Sequence, residues 1–132
     1  MITRINHIGI AVNNIDQALK LYTEVLGLGL KEIEVVEEQR TKTAILPVGE
    51  SKIELLESTD PEGPIAKYIE KFGEGMHHLA LEVSDIEGAL SEISKSGIPL
   101  IDEAPRRGVG GTHIAFLHPK GTGRVLLELV QS

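Results

Sequence analysis

A chain of 132 residues is long enough for one buried core or for two small interdependent modules, because modules of about 55 to 60 residues are marginal alone. Twenty acidic against thirteen basic residues leave a net charge of −7, which disfavours a nucleic-acid backbone as principal partner, and the absence of cysteine excludes disulfides and thiolate metal sites. No apolar run approaches the ~18 residues of a membrane span, and the opening Met1–His7 carries no signal-like apolar segment, so the cytoplasm is the expected compartment and no membrane partner is expected.

Ile5 to Val12 alternates as a strand, with Ile8, Ile10 and Val12 on one face and Ile5, His7, Gly9 and Ala11 on the other. Asn13 or Asn14 caps a helix marked by Ile15, Ala18, Leu19, Tyr22 and Leu26, which Gly27 and Gly29 terminate. Strands follow at Leu30–Val36, at Lys42–Val48, where Pro47 signals an edge or a strand end, and at Lys52–Glu57, which places Lys52, Glu54 and Leu56 on one face. Pro64 opens a connecting helix with the stripe Ile65, Tyr68, Ile69 and Phe72, ending at Gly73.

The next strand, Met76–Val83, puts Met76, His78, Ala80 and Glu82 on one face. Ser84 or Asp85 then caps a helix carrying Ile86, Ala89, Leu90 and Ile93, closed by Gly97. A short strand at Pro99–Asp102, a glycine-rich loop at Pro105–Gly111 and strands at Thr112–Leu117 and Arg124–Val130 complete the chain.

The order strand, helix, strand, strand, strand is thus written twice. Arg4–Val12 and Gly75–Val83 match 71 positions apart, aligning His7 with His78, and Lys52–Leu56 answers Leu126–Val130, aligning Glu54 with Glu128. A repeat of about 70 residues is too long for the familiar solenoids and favours a two-copy fold. The expected organisation is a single 1–132 domain with a first module over 4–57, a linker with a short helix over 58–75 and a second module over 76–131.

Ionised carboxylates among aliphatic strand residues need a cation, an ion pair or exposure on a sheet face. His7, Glu54, His78 and Glu128 form a nitrogen and oxygen set suited to a borderline divalent ion, provided the copies close around a common cleft. His77 points to the opposite strand face and reads as structural, and His113 and His118 are weaker candidates. Arg106, Arg107, Lys120 and Arg124 gather positive charge in two loops, either as contacts for a substrate phosphate or carboxylate or as ordinary surface charge.

With those residues in place, the chain resembles the vicinal oxygen chelate (glyoxalase/bleomycin-resistance-like) superfamily over nearly its full length. Within it, the segments Asn6–Val12, Pro47–Glu57, Ile65–Ile69, Gly75–Val83 and Gly110–Lys120 resemble the methylmalonyl-CoA epimerases (racemases). The resemblance implies an α+β fold of two paired βαβββ modules forming a metal-containing cleft. It also implies an isomerase that interconverts the C2 epimers of an acyl-CoA substrate through an enolate.

The metal positions would be His7, Glu54, His78 and Glu128, with glutamine at the Glu54 position in some relatives; cobalt or another divalent ion and a homodimer are implied as well. Glu128 matches a position with both metal and acid/base roles. A glutamate used by some relatives corresponds to Thr43, which cannot act as a base, and Glu54 is the expected replacement. A lactoylglutathione lyase and a noncatalytic metal-dependent binding protein of the same fold are the competing readings.

Overall fold

The computed structural model describes all 132 residues, Met1–Ser132. In chain order the elements are β1 (Ile2–Ala11), α1 (Ile15–Leu19, continued by a π-helical segment Lys20–Val25), β2 (Glu32–Val36), β3 (Thr41–Val48), β4 (Ser51–Ser58) and α2 (Pro64–Phe72), then β5 (Gly75–Val83), α3 (Ile86–Lys95), β6 (Arg106–Arg107), β7 (His113–Phe116) and β8 (Leu127–Gln131). The chain is α+β, and the sequence strand, helix, strand, strand, strand occurs twice with α2 between. Two compact units emerge: a continuous one from Ile8 to His77 and a split one combining Met1–His7 with His78–Ser132.

In the continuous unit β2, β3 and β4 form an antiparallel ladder, and the last residues of β1 lie beside β4. One face of this ladder packs Ala44, Leu46 and Leu55 against Ile15 and Val12 beneath α1. The other carries Thr43, Ile45, Glu54 and Leu56, because Thr43 faces Leu56 and Ile45 faces Glu54 across the antiparallel pair. Pro47 lies beyond the stretch of β3 that pairs with β2, so its missing N–H costs the sheet nothing on that side.

Asn14 caps α1 by accepting a hydrogen bond from the Gln17 N–H at 2.8 Å, and Glu57 accepts from the Ile15 N–H at 2.7 Å, satisfying two otherwise orphaned donors. The helix then widens. The Thr23 hydroxyl donates to the Leu19 carbonyl, and Leu26 N–H bonds five residues back to Leu21. At the end of α2, Gly73 adopts φ +82°, a left-handed value open to glycine, and terminates the helix.

In the split unit the strand order is β1, β5, β8, β7, β6, with β5 and β8 parallel and the β8–β7 and β7–β6 pairs antiparallel. Helix α3, capped by Asp85, packs on Val83, Ala115, Leu117 and Leu129. The opposite face carries Ala80, Ile114, Val130 and the partly buried Phe116.

Two sequence expectations change here. Pro99–Asp102 is not a strand: it makes one isolated bridge, Leu100 to Leu117, because Ile101 and Asp102 both donate to the Phe116 carbonyl while the Asp102 carboxylate accepts the Phe116 N–H at 2.8 Å. The partner strand of β7 is instead Arg106–Arg107, inside the segment expected to be loop.

Leu129 is 1 % exposed and packs beneath α3 one residue from Glu128. Leu129→Ala is expected to destabilise the protein by about 2–5 kcal/mol through lost burial and a residual cavity, as read by urea denaturation.

Candidate metal centre

His7 on β1, His78 on β5 and Glu128 on β8 converge within the split unit, and all three are buried, at 5 %, 9 % and 4 % exposure. The strand registers explain the convergence. Glu128 stands opposite Ala80 in the parallel pair and opposite Phe116 in the antiparallel pair, so alternation turns it to the face away from α3. Phe116 meets the His78 ring edge-on at 5.6 Å between centroids.

The three donor atoms form a small triangle. His7 Nε2 and His78 Nε2 are 2.9 Å apart, and Glu128 Oε1 lies 3.0 Å from the first and 3.2 Å from the second. Although so near both imidazoles, the solvent-shielded Oε1 receives no hydrogen bond of proper direction. A lone pair in that position suits a cation shared with the two imidazoles.

The three donor atoms are close enough together for one divalent ion to be held by all of them, as a nitrogen and oxygen set suited to a borderline cation.

Electrostatics favour the same reading. Burial alone would raise the Glu128 carboxyl, but the His7 and His78 imidazoles overcome it and hold the group lowered to about 2. Glu128 is therefore an anion at neutral pH, and its negative charge sits where a cation is wanted.

His7 is oriented by a chain of polar contacts. Its Nδ1 lies 2.7 Å from Asn6 Oδ1, Asn6 Nδ2 donates to Glu82 Oε1 at 2.8 Å, and Arg4 donates to the same oxygen at 3.1 Å. Consecutive strand side chains ordinarily point to opposite faces, so periodicity conceals the Asn6–His7 bond. A buried asparagine immediately before a ligand histidine was the available signal.

The other expected residues divide. Glu54 lies on β4 of the continuous unit, 4 % exposed and opposite Ile45. Thr43 is buried on the same sheet face, and its hydroxyl has no hydrogen-bond partner. Arg106 is held by Asp102 at 3.2 Å and lies 5.4 Å above the Phe116 ring, two contacts from His78. Arg107, Lys120 and Arg124 are exposed. His77 packs edge-on against Tyr68, while His118 accepts the Lys120 N–H and His113 is exposed.

Residues 6–116 match the model of the glyoxalase/bleomycin resistance protein/dioxygenase superfamily. The chain belongs to this superfamily. Within it, the chain is 35 % identical over 130 residues to the mitochondrial methylmalonyl-CoA epimerase of Homo sapiens, covering 98 % of this chain and 74 % of that protein. Among solved structures, a methylmalonyl-CoA epimerase in complex with methylmalonyl-CoA and ammonium superposes with a TM-score of 0.96 at 38 % identity, over 100 % of this chain and 96 % of the other. A variant of the Streptomyces coelicolor methylmalonyl-CoA epimerase in complex with 2-nitronate-propionyl-CoA gives the same TM-score, identity and coverages. The buried donor triangle of His7, His78 and Glu128 itself suggests a divalent-metal site.

Addition of a divalent ion at about 100 times its Kd is expected to stabilise the protein by about 2.7 kcal/mol, seen as a rise in Tm that EDTA reverses. His7→Ala and Glu128→Gln each remove one of the three candidate ligands. Their affinity losses in isothermal titration calorimetry should exceed the ~10–100-fold that follows loss of an outer partner.

Proposed function

We propose that the protein is a metal-dependent isomerase that interconverts the two C2 epimers of methylmalonyl-CoA. The observation that carries the reading is the buried triangle of His7, His78 and Glu128, which is equipped for the enolate chemistry that epimerisation at C2 demands. The similarity to epimerases solved with acyl-CoA ligands supplies the substrate class.

The C2 proton lies between a thioester and a carboxylate, which makes it acidic for carbon yet out of reach of an unaided side-chain base. A bound divalent ion supplies Lewis-acid stabilisation of the developing enolate, worth several kcal/mol as an order of magnitude. His7 and His78 would hold that ion through their Nε2 atoms, and Ala80, Ile114, Val130 and Phe116 form an apolar cluster on the same sheet face. Glu128 would share in holding the ion and is proposed as one of the groups that moves the C2 proton. Cobalt(II) or another divalent ion is proposed on the resemblance, and the nitrogen and oxygen donor set is compatible with either.

Inversion requires a proton to leave one face and arrive on the other, so a second acid/base group is needed. Glu54 is proposed for that role, and as a fourth ligand, because the internal repeat makes it the counterpart of Glu128. Thr43, buried on the same face of its sheet, carries no group of suitable basicity. Arg106, fixed by Asp102 and Phe116, is proposed to contact the substrate carboxylate or a phosphate, with Arg107, Lys120 and Arg124 as secondary contacts for the CoA moiety. No helix is long and apolar enough to cross a membrane. A homodimer in the cytoplasm is proposed on the sequence reading, and mass measurement in solution tests the dimer.

The deciding experiment follows one methylmalonyl-CoA epimer by NMR in deuterated water with metal-reconstituted protein. Interconversion with deuterium entry at C2, abolished by EDTA, is expected; formation of lactoylglutathione from methylglyoxal and glutathione without C2 exchange would overturn the reading. Glu54→Gln is expected to slow epimerisation by about 10²–10⁴-fold, and full activity with metal retained would remove Glu54 from the mechanism. Arg106→Gln should raise KM more than it lowers kcat.

A further inference from the structure

We propose that Glu82 is a positioning residue for the ligand His7, acting through the Asn6 side-chain amide; the inference rests on the reading of His7, His78 and Glu128 as a metal site. The logic is one of donors and acceptors. Glu82 Oε1 receives Arg4 at 3.1 Å, and the carboxylate, ionised beside that guanidinium, can only accept. The end of Asn6 that faces it at 2.8 Å must therefore be the NH₂ group. That assignment turns Asn6 Oδ1 toward His7, where it lies 2.7 Å from Nδ1 and can only accept in turn.

The imidazole proton is thereby fixed on Nδ1. A ring that binds a cation carries only that proton, so the atom left to ligate is Nε2, which faces His78 and Glu128. Were the Asn6 amide reversed, its NH₂ would face Nδ1, the proton would move to Nε2, and the ligand atom would be blocked.

The placement of these groups matches that role. Asn6 is 3 % exposed, so it has no water with which to exchange partners, whereas the Arg4 and Glu82 side chains are 42 % and 18 % exposed. The device therefore starts at the surface and ends at the ion. Glu82 also stands four residues from His78 on β5, and its backbone carbonyl accepts the Thr3 hydroxyl, so the same residue ties the two histidine-bearing strands together.

The test reads both the proton and the ion. In metal-free protein with ¹⁵N-labelled histidine, His7 is expected with its Nδ1 protonated. Glu82→Met should shift it toward a mixture and weaken cobalt(II) binding by about 10–100-fold in competition titrations, with circular dichroism confirming that the fold persists. Asn6→Asp alone opposes two carboxylates and should weaken binding to a similar extent. Combining Asn6→Asp with Glu82→Gln lets the introduced amide donate to the introduced carboxylate while His7 Nδ1–H still donates, and should restore tautomer and affinity to within a few-fold of the parent.

An unchanged tautomer and affinity in Glu82→Met, or a double variant no better than Asn6→Asp, would overturn the inference. Should the parent protein itself bind no cobalt(II), the metal reading fails while the tautomer comparison still decides the role of Glu82.

Discussion

An ionised carboxylate in the interior of a β-sheet must be compensated by nearby positive charge or by a cation, and Glu128 sets that requirement for everything around it. Its neighbours on β8, Leu127 and Leu129, face the packed side with α3, so the strand cannot turn to expose the charge without exposing apolar surface. The compensation comes instead from His7 and His78, two side chains that are donors or acceptors according to tautomer. Two imidazoles and one carboxylate crowded to about 3 Å make a poor hydrogen-bonded cluster and a good set of ligands.

The same strands carry two surfaces of opposite character, and register keeps them apart. Glu128 is pinned from both sides, by Ala80 in a parallel pair and by Phe116 in an antiparallel one. A shift of one residue in either pairing would carry the carboxylate into the core beneath α3 and bring Leu129 to the site. Tight packing of Leu129 and Ala115 is therefore as much a condition for chemistry as for stability.

Much of this was legible in the residues. The duplicated His-then-aliphatic strands announced two copies of one motif, and the lone glutamates inside Lys52–Glu57 and Arg124–Val130 marked the places where an apolar strand broke its own rule. Caps at Asn14 and Asp85 and stops at Gly73 and Gly97 were equally visible, because each satisfies a backbone group or a backbone angle that few residue types can. The rest depended on tertiary partners. The Pro99–Asp102 segment has strand-like composition, yet the Asp102 side chain takes the Phe116 N–H that a ladder would have used. Asn6 and Glu82 were hidden because strand periodicity sorts faces and says nothing about hydrogen bonds between adjacent side chains.

Residues 7, 78 and 128 belong to one unit that draws its first strand from the beginning of the chain and its last from the end. Closing such long loops is slow and entropically costly, so these three side chains meet only when β8 is in place. A cation held by all three would therefore stabilise the completed sheet and not its separate strands.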